Sequence, residues 1–165
     1  MKIFPKANRN YIGAILMALD KYGSKVGLSD KGKLMVLGQM AEESGQFIYT
    51  HELGKGQGKK YGKYYGRGPI QITWNYNYKA ITDIYFPKLG IDADIFNDPD
   101  LCCTNLGIGA AASLCWFLIP GNGRTAVTAA NNGDVKLLTK MINGGYTHYD
   151  KRVEYTQKIF NAIKN

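Results

Sequence analysis

Three glutamates lie close together in a chain whose overall charge is strongly basic. The stretch QMAEESGQFIYTHELGKGQG, residues 39–58, carries Glu42, Glu43 and Glu52, whereas the whole chain holds 13 acidic residues against 21 lysines and arginines. Glycosidases use two carboxyl groups in unlike surroundings, one giving a proton to the leaving oxygen and the other activating water. The segment therefore raises the hypothesis of an acid and base pair.

The first two glutamates lie near the end of a helix predicted at about Ser29–Gly45. At about 100° per residue, Glu43 falls at the edge of the apolar sector beside Met40, and Glu42 falls in the polar sector with Gln39. Burial disfavours a charged carboxylate, so we predict that the pKa of Glu43 is raised and that it keeps its proton near neutral pH. We expect Glu42 to be a solvated surface charge.

The pattern alone leaves a second interpretation of Glu43 open. A carboxylate at a helix end can simply bond a nearby backbone group, without any part in catalysis. Glu52 lies nine residues further on, outside the helix and among glycines, where it can be solvated. This contrast favours Glu43 as the acid and Glu52 as the base, although many loops contain a glutamate.

A glycine-rich loop follows Glu52 and interleaves basic and aromatic side chains. Its basic residues are Lys55, Lys59, Lys60, Lys63 and Arg67, and its tyrosines are Tyr61, Tyr64 and Tyr65. Such a loop can bind single-stranded nucleic acid or a sugar chain, and the net charge of +8 suits either nucleic acid or the phosphate polymers of a bacterial envelope. The residue order that defines a phosphate-binding loop, G-x-x-x-x-G-K-[ST], is absent.

The elements around this loop predict an α+β fold that is predominantly helical. A brief β-like run, IQIT, predicts a small β-hairpin flanking a substrate cleft. The chain length suits a single catalytic domain over residues 1–165. Five helices are predicted, at about Asn8–Tyr22, Ser29–Gly45, Asn105–Leu118, Gly133–Ile142 and Asp150–Ile163. In the last, we expect Val153, Ile159, Phe160 and Ile163 to face the core.

Several classes of protein are disfavoured by the composition. The longest uncharged stretch, from Leu101, contains polar residues and glycines and predicts a buried core helix, so we expect no membrane insertion. Cys102, Cys103 and Cys115 are odd in number and lack framework spacing, which fits a reducing compartment. With only two histidines and no zinc spacing, we expect no metal and no cofactor.

From residue 64 the stretch YYGRGPIQITWNYNY resembles glycoside hydrolase family 19, which includes plant and bacterial chitinases and phage endolysins. Further matches follow the family's order: QMAEESGQF looks like the segment of the general acid, and DPDL, MINGG and DKRVEYTQKIF look like later motifs. The resemblance covers about residues 30–163. It implies a lysozyme-like architecture, an inverting mechanism and no metal.

The resemblance also implies roles for individual residues. Glu43 takes the position of the acid, Glu52 that of the base, and Thr73 that of a residue holding the attacking water. Arg152 matches an arginine near the acid. Gln71, Tyr76, Asn77 and Asn143 match positions that line the sugar groove. We also expect Arg152 and, in the basic loop, Arg67 to bind substrate.

Two departures from the family pattern bear on the acid. Glu42 stands where the family has a histidine, and if it is close its charge would raise the pKa of Glu43 further. Thr147 lies near the position that is a glutamate in the plant enzymes, so part of a charge network is missing.

These features predict a phage or prophage endolysin that hydrolyses the β-1,4 glycan of peptidoglycan. The substrate is then a polysaccharide, with no nucleic acid as partner, and we expect a monomer. No secretion signal is evident, so we expect synthesis in the host bacterial cytoplasm and action at the cell wall after release. The alternatives are a small chitinase and, in another class, a non-catalytic binder of glycan or nucleic acid.

Overall fold

Helices supply the regular structure of this chain in a computed structural model that describes residues 3–164. They are α1 Arg9–Tyr22, α2 Asp30–Glu43, α3 Asn75–Ala80, α4 Phe86–Lys88, α5 Leu101–Thr104, α6 Leu106–Trp116, α7 Asn122–Asn131, α8 Val135–Asn143 and α9 Tyr149–Lys164. A π-helical turn, Ile81–Tyr85, joins α3 to α4. In the core, α1 packs on α6, α2 packs between α7 and α9, and α7 also packs on α8.

Four of the helix starts follow from side-chain caps that the sequence displays. The side chains of Asn8, Ser29, Asn105 and Asp134 each accept a hydrogen bond from a backbone N–H in the first turn of the helix that follows. Such caps satisfy donors that the helix itself leaves unpaired. The five predicted helices are all present, with ends shifted by a few residues.

The close approach of α9 to α2 depends on a glycine in the middle of α2. A Cβ at Gly38 would overlap the Thr156 hydroxyl, so a larger residue would push the two helices apart. The buried face of α9 is formed by Arg152, Tyr155, Thr156 and Ile159. The predicted core face was therefore wrong except at Ile159, because two polar side chains occupy the surface that meets α2.

The predicted β-hairpin is not present. Within residues 3–164 there is no strand, only two isolated antiparallel bridges, from His51 to Arg67 and from Arg67 to Ile72. Gly68 and Gln71 have left-handed backbone angles, with φ of 77° and 61°, and these break the extended run at both sides of Pro69-Ile70. The fold is therefore predominantly helical, and the region expected as a hairpin is an ordered loop.

The apolar stretch after Leu101 forms the core helix α6, as predicted. Its residues from Gly109 to Cys115 are all buried. No helix within the described residues is both long enough and apolar enough to cross a membrane.

Candidate active site

The chain turns sharply after Glu43, the last residue of α2. Gly45, Gln46 and Phe47 follow one another with positive φ angles of 59°, 64° and 64°. Non-glycine residues seldom adopt this conformation, so the turn needs support from its surroundings. Phe47 provides it, because its ring is buried 5.2 Å from that of Phe4 and its carbonyl accepts the backbone N–H of Asn8.

A buried arginine holds the carboxylate of Glu43. Arg152 Nη2 lies 2.9 Å from Glu43 Oε1, and the side chains of the two residues are 2% and 17% exposed. The other guanidinium nitrogens donate to Gln39 Oε1, at 2.7 Å, and to the Thr147 carbonyl, at 3.0 Å. Gln39 in turn donates to Thr139 Oγ1 at 2.9 Å. The proposed acid is thus fixed by a network that joins α2, α8 and α9.

Burial raises the pKa of Glu43, as predicted from its place on the helix wheel. The charge and the hydrogen bond of Arg152 act in the opposite direction and lower the pKa, but the loss of hydration has the larger effect. Glu42 raises the pKa of Glu43 further, and His148 lowers it. The prediction that the charge of Glu42 raises the pKa of Glu43 is therefore confirmed.

Glu42 is not the solvated surface charge that the wheel predicted. Its side chain is only 16% exposed, and its Oε1 lies 2.6 Å from Nδ1 of His148, which precedes α9. Gln39, assigned to the same polar sector, is fully buried. Both expectations failed for one reason: α8 and α9 cover the polar side of α2 with side chains that offer it charges and hydrogen bonds.

Glu52 occupies a different environment, in the loop beyond α2. Its Oε1 accepts the Gly66 backbone N–H at 2.7 Å, and its Oε2 accepts the Tyr61 hydroxyl at 2.8 Å. Its own N–H donates to the Gly66 carbonyl at 2.8 Å, so backbone and side chain are anchored to the same residue. The two carboxylates therefore differ as the sequence suggested, one beside a buried cation and one among neutral donors in a half-buried loop.

The hydroxyl of Thr73 already donates its hydrogen to a group of the protein. Its Oγ1 donates to the Gln71 carbonyl at 2.9 Å, which leaves the oxygen lone pairs to accept a hydrogen from another group. A water molecule that gives one hydrogen to a base can give its other hydrogen to such an acceptor.

Three of the residues predicted to bind substrate are near Thr73 in the chain, with Gln71 in the same loop and Tyr76 and Asn77 in α3. Gln71 Nε2 donates to the Gly68 carbonyl and Asn77 Nδ2 to the Thr73 carbonyl, so both amides brace the loop. Tyr76 is 61% exposed. Asn143 is exposed at the end of α8, and its side chain accepts the Thr147 N–H at 3.3 Å. Their contacts with substrate stay predictions.

The two arginines predicted to bind substrate lie in the interior. Arg67 is 2% exposed, stacks over the ring of Tyr65 and donates to Asp100 Oδ1, to Tyr78 and to the Lys63 carbonyl. Its donors are engaged within the protein, so it stabilises the loop and is not a surface anchor for an anion. Arg152 is equally buried and contacts the acid itself. A direct contact of either arginine with substrate stays a prediction.

Three side chains of this region were not identified as site residues from the sequence. His148 pairs with Glu42, Tyr61 donates to Glu52, and Trp74 packs between Tyr61 and Tyr76. The interleaved aromatics of the basic loop were a signal for Tyr61, and Trp74 stands inside the family motif. No local pattern marked His148, because its partner lies on another helix. Among residues 3–164, no group of three or more histidines, cysteines or acids could hold a metal ion.

Comparisons with known proteins show what this chain is similar to in sequence and in fold. The protein-family model described as chitinase class I, glycoside hydrolase family 19, matches residues 37–146. An endochitinase from Arabidopsis thaliana is 32% identical over 117 residues, which cover 63% of this chain and 38% of the relative. An inactive chitinase-like protein from Hevea brasiliensis is 32% identical over 110 residues, 56% of this chain and 33% of the relative. The chain thus spans about two fifths or less of these relatives' length.

The whole described fold has a counterpart among solved structures. A bacterial family 19 chitinase superposes with a TM-score of 0.69 at 27% identity, over 96% of this chain and 91% of that one. This likeness supports the predominantly helical, lysozyme-like architecture and carries over no residue role. Because the family model matches more than half of the 165 residues, the chain belongs to glycoside hydrolase family 19.

Proposed function

We propose that this chain hydrolyses β-1,4 bonds in a chitin-like polymer of N-acetylglucosamine, with inversion at the anomeric carbon. The observation that carries the proposal is the contrast between two carboxyl groups. Glu43 is largely buried and has a raised pKa, which suits a group that must hold a proton, whereas Glu52 is held by two neutral donors. This is the division of labour that acid and base catalysis requires.

In the proposed reaction, Glu43 gives its proton to the glycosidic oxygen as the bond to the anomeric carbon breaks. The carboxylate that forms is stabilised by Arg152, 2.9 Å away. Glu52 takes one proton from a water molecule, and the water oxygen attacks the opposite face of the sugar. The second hydrogen stays on that oxygen and forms a hydrogen bond to Thr73 Oγ1. Proton exchange with solvent then restores both carboxyl groups.

The chemical class of the substrate is inferred from the family. The matching model describes class I chitinases, and the compared endochitinase bears the same activity in its name. One relative is named as inactive, so the activity proposed here rests on the carboxyl groups of this chain and not on membership alone.

A second candidate function is hydrolysis of bacterial peptidoglycan by an endolysin. It is favoured by the charge of the molecule, because the chain carries +8 and Lys55, Lys59, Lys60 and Lys63 are all exposed in the loop after Glu52. An anionic cell wall would be attracted to such a surface, whereas chitin is uncharged. On this alternative, the enzyme acts at the wall of the host bacterium.

The experiment compares colloidal chitin and purified peptidoglycan as substrates for the wild type, Glu43→Gln and Glu52→Gln. Release of reducing ends by the wild type and its near-complete loss in both variants supports the proposal, and the preferred polymer separates the two candidates. Glu154→Gln is the matched control, since Glu154 is an exposed carboxylate on α9 that pairs with lysines. Binding of either polymer by all four proteins without hydrolysis would identify a non-catalytic binder instead.

A further inference from the structure

We infer that Tyr61 positions the carboxylate of Glu52 and, through Trp74, joins it to an aromatic face that binds a sugar ring. The inference rests on the proposed hydrolase function and deepens it at the base. It assigns a role to two side chains that the proposed mechanism does not use: Tyr61, which donates to Glu52, and Trp74, which contacts Tyr61.

Tyr61 is placed to fix the orientation of the base. Its hydroxyl donates to Oε2 of Glu52 at 2.8 Å, while the Gly66 N–H holds Oε1 at 2.7 Å. Burial and the neighbouring carboxylate raise the pKa of the Tyr61 phenol, so the hydroxyl keeps the proton that it donates. With one donor on each oxygen, the carboxylate plane cannot rotate freely, and its remaining lone pairs keep a fixed direction.

Tyr61 is itself held by an aromatic stack that reaches the surface. The edge of its ring meets Trp74, with centroids 5.5 Å apart and planes at 77°, and Trp74 lies parallel to Tyr76 at 5.9 Å and 12°. Trp74 and Tyr76 are 37% and 61% exposed. Exposed aromatic faces are apolar area for which a pyranose ring, with its C–H face, is a fitting partner.

The backbone at Trp74 indicates that the indole is held in place and not merely left at the surface. Its φ of 75° is left-handed, a conformation that is rare for a bulky residue. Its N–H donates to the Tyr64 carbonyl at 2.9 Å, which ties this strained position to the glycine-rich loop. Backbone strain that the surroundings maintain is common at ligand sites.

These contacts link sugar binding to the base. A sugar ring on Trp74 and Tyr76 restrains the indole, the indole restrains the ring of Tyr61, and the Tyr61 hydroxyl stays on Glu52 Oε2. Loss of the hydroxyl should then affect the chemical step, whereas loss of the indole should mainly affect binding.

The kinetic test uses soluble N-acetylglucosamine oligomers with Tyr61→Phe, which keeps the ring and its packing. We expect kcat to fall roughly 10- to 100-fold, because a misplaced base weakens attack by water, while KM stays close to that of the wild type. Trp74→Ala should instead raise KM roughly two- to tenfold. Tyr22→Phe, a half-buried tyrosine on α1, is the control and should change neither constant.

Two further measurements do not depend on activity. In Glu52→Gln, the pKa of the Tyr61 phenol, followed by NMR of its ring carbon, should fall relative to the wild type, because the carboxylate that raises it has gone. In Trp116→Phe, Trp74 is the single tryptophan of the chain, and its fluorescence should change when the oligomer is added.

The outcomes separate the inference from the function on which it rests. A wild type without hydrolysis refutes the proposed function, and the phenol titration and the fluorescence still decide whether Tyr61 and Trp74 behave as inferred. An active wild type with unchanged kcat in Tyr61→Phe overturns the positioning role. Fluorescence of Trp74 that does not respond to oligomer overturns the sugar-binding face.

Discussion

Arg152 Nη2 lies 2.9 Å from Glu43 Oε1, yet Glu43 still has a raised pKa. An arginine at this distance from an exposed carboxylate would lower the pKa, so the loss of hydration around Glu43 must exceed the effect of the cation. The combination suits a general acid. Burial favours the protonated carboxyl, and in the reaction that we propose Arg152 would stabilise the carboxylate that forms.

The first prediction concerns which of the two adjacent glutamates is the acid. Glu43→Gln keeps the shape of the side chain but has no proton to donate, so hydrolysis should fall by at least roughly 10²-fold, whereas Glu42→Gln should stay within roughly tenfold of the wild type. Initial rates on soluble oligomers measure this, with circular dichroism to establish folding. An inactive Glu42→Gln beside an active Glu43→Gln would place the acid one residue earlier.

The second prediction concerns the pH dependence of hydrolysis. Replacing Glu42 and replacing His148 should shift it in opposite directions. The groups facing Glu43 are Glu42 on α2, Arg152 on α9 and His148 at the start of α9. Removing the negative charge in Glu42→Gln lowers the pKa of Glu43, so the alkaline limb of the rate profile moves to lower pH. Removing the positive charge in His148→Asn raises that pKa and moves the limb to higher pH.

Asparagine is chosen at position 148 because the backbone there is left-handed, with φ of 55°, and asparagine tolerates this conformation. Profiles of kcat/KM between acid and alkaline pH provide the measurement. Shifts of the same sign in both variants would mean that the pair does not act on Glu43 by its charges.

The third prediction is a large loss of stability in Arg152→Met. The substitution leaves Glu43 without its cation and removes the donors to Gln39 and Thr147, and breaking a buried ion pair typically costs about 3–5 kcal/mol. Chemical denaturation should show this difference in the free energy of unfolding. Lys151→Met is the control, because Lys151 is exposed and pairs with Glu154, and it should change stability by less than about 0.5 kcal/mol.

The fourth prediction concerns stereochemistry. If Glu52 activates water and does not attack the sugar itself, the two carboxyl groups need room for that water, typically roughly 6.5–9.5 Å between them. The first sugar released from a β-linked polymer should then be the α-anomer. Proton NMR at early times, before mutarotation, distinguishes the anomers, and an initial β-anomer would mean that Glu52 acts as a nucleophile.

The fifth prediction concerns the exposed lysines of the loop after Glu52. If they attract an anionic wall, hydrolysis of whole cell walls should fall with added salt as the Debye length shrinks from about 10 Å toward about 3 Å. Hydrolysis of uncharged oligomers should be far less sensitive. The double variant Lys59→Gln, Lys60→Gln should flatten the salt profile on walls, and an unchanged profile would exclude electrostatic anchoring by this loop.

Sequence reasoning succeeded where the deciding physics is local. The N-cap at Ser29 and the uncharged, largely apolar composition of α6 were enough to locate two of the helices. The raised pKa of Glu43 also followed from its position on α2 next to apolar neighbours.

Sequence reasoning failed where segments that are distant in the chain come into contact. The polar side of α2 was predicted to be solvated because no residue near Gln39 in the sequence indicates a buried partner. Its partner, Arg152, donates to Gln39 from 113 positions away. Arg67 looked like a surface cation because the loop is glycine-rich, but Asp100 and Tyr78 enclose it. The run IQIT has the composition of a strand, and only the left-handed angles at Gly68 and Gln71 prevent it from forming one.

The packing of α9 against Gly38 of α2 has a consequence for the order in which the site matures during synthesis. A ribosome makes Glu43 and Glu52 long before it makes Arg152, so a nascent chain that ends before α9 has the acid without its buried counter-charge. Only when α9 has emerged and docked on the face that Gly38 keeps free do the guanidinium contacts form. Glu43 therefore gains its buried counter-charge only after α9 has been synthesised and has packed against α2.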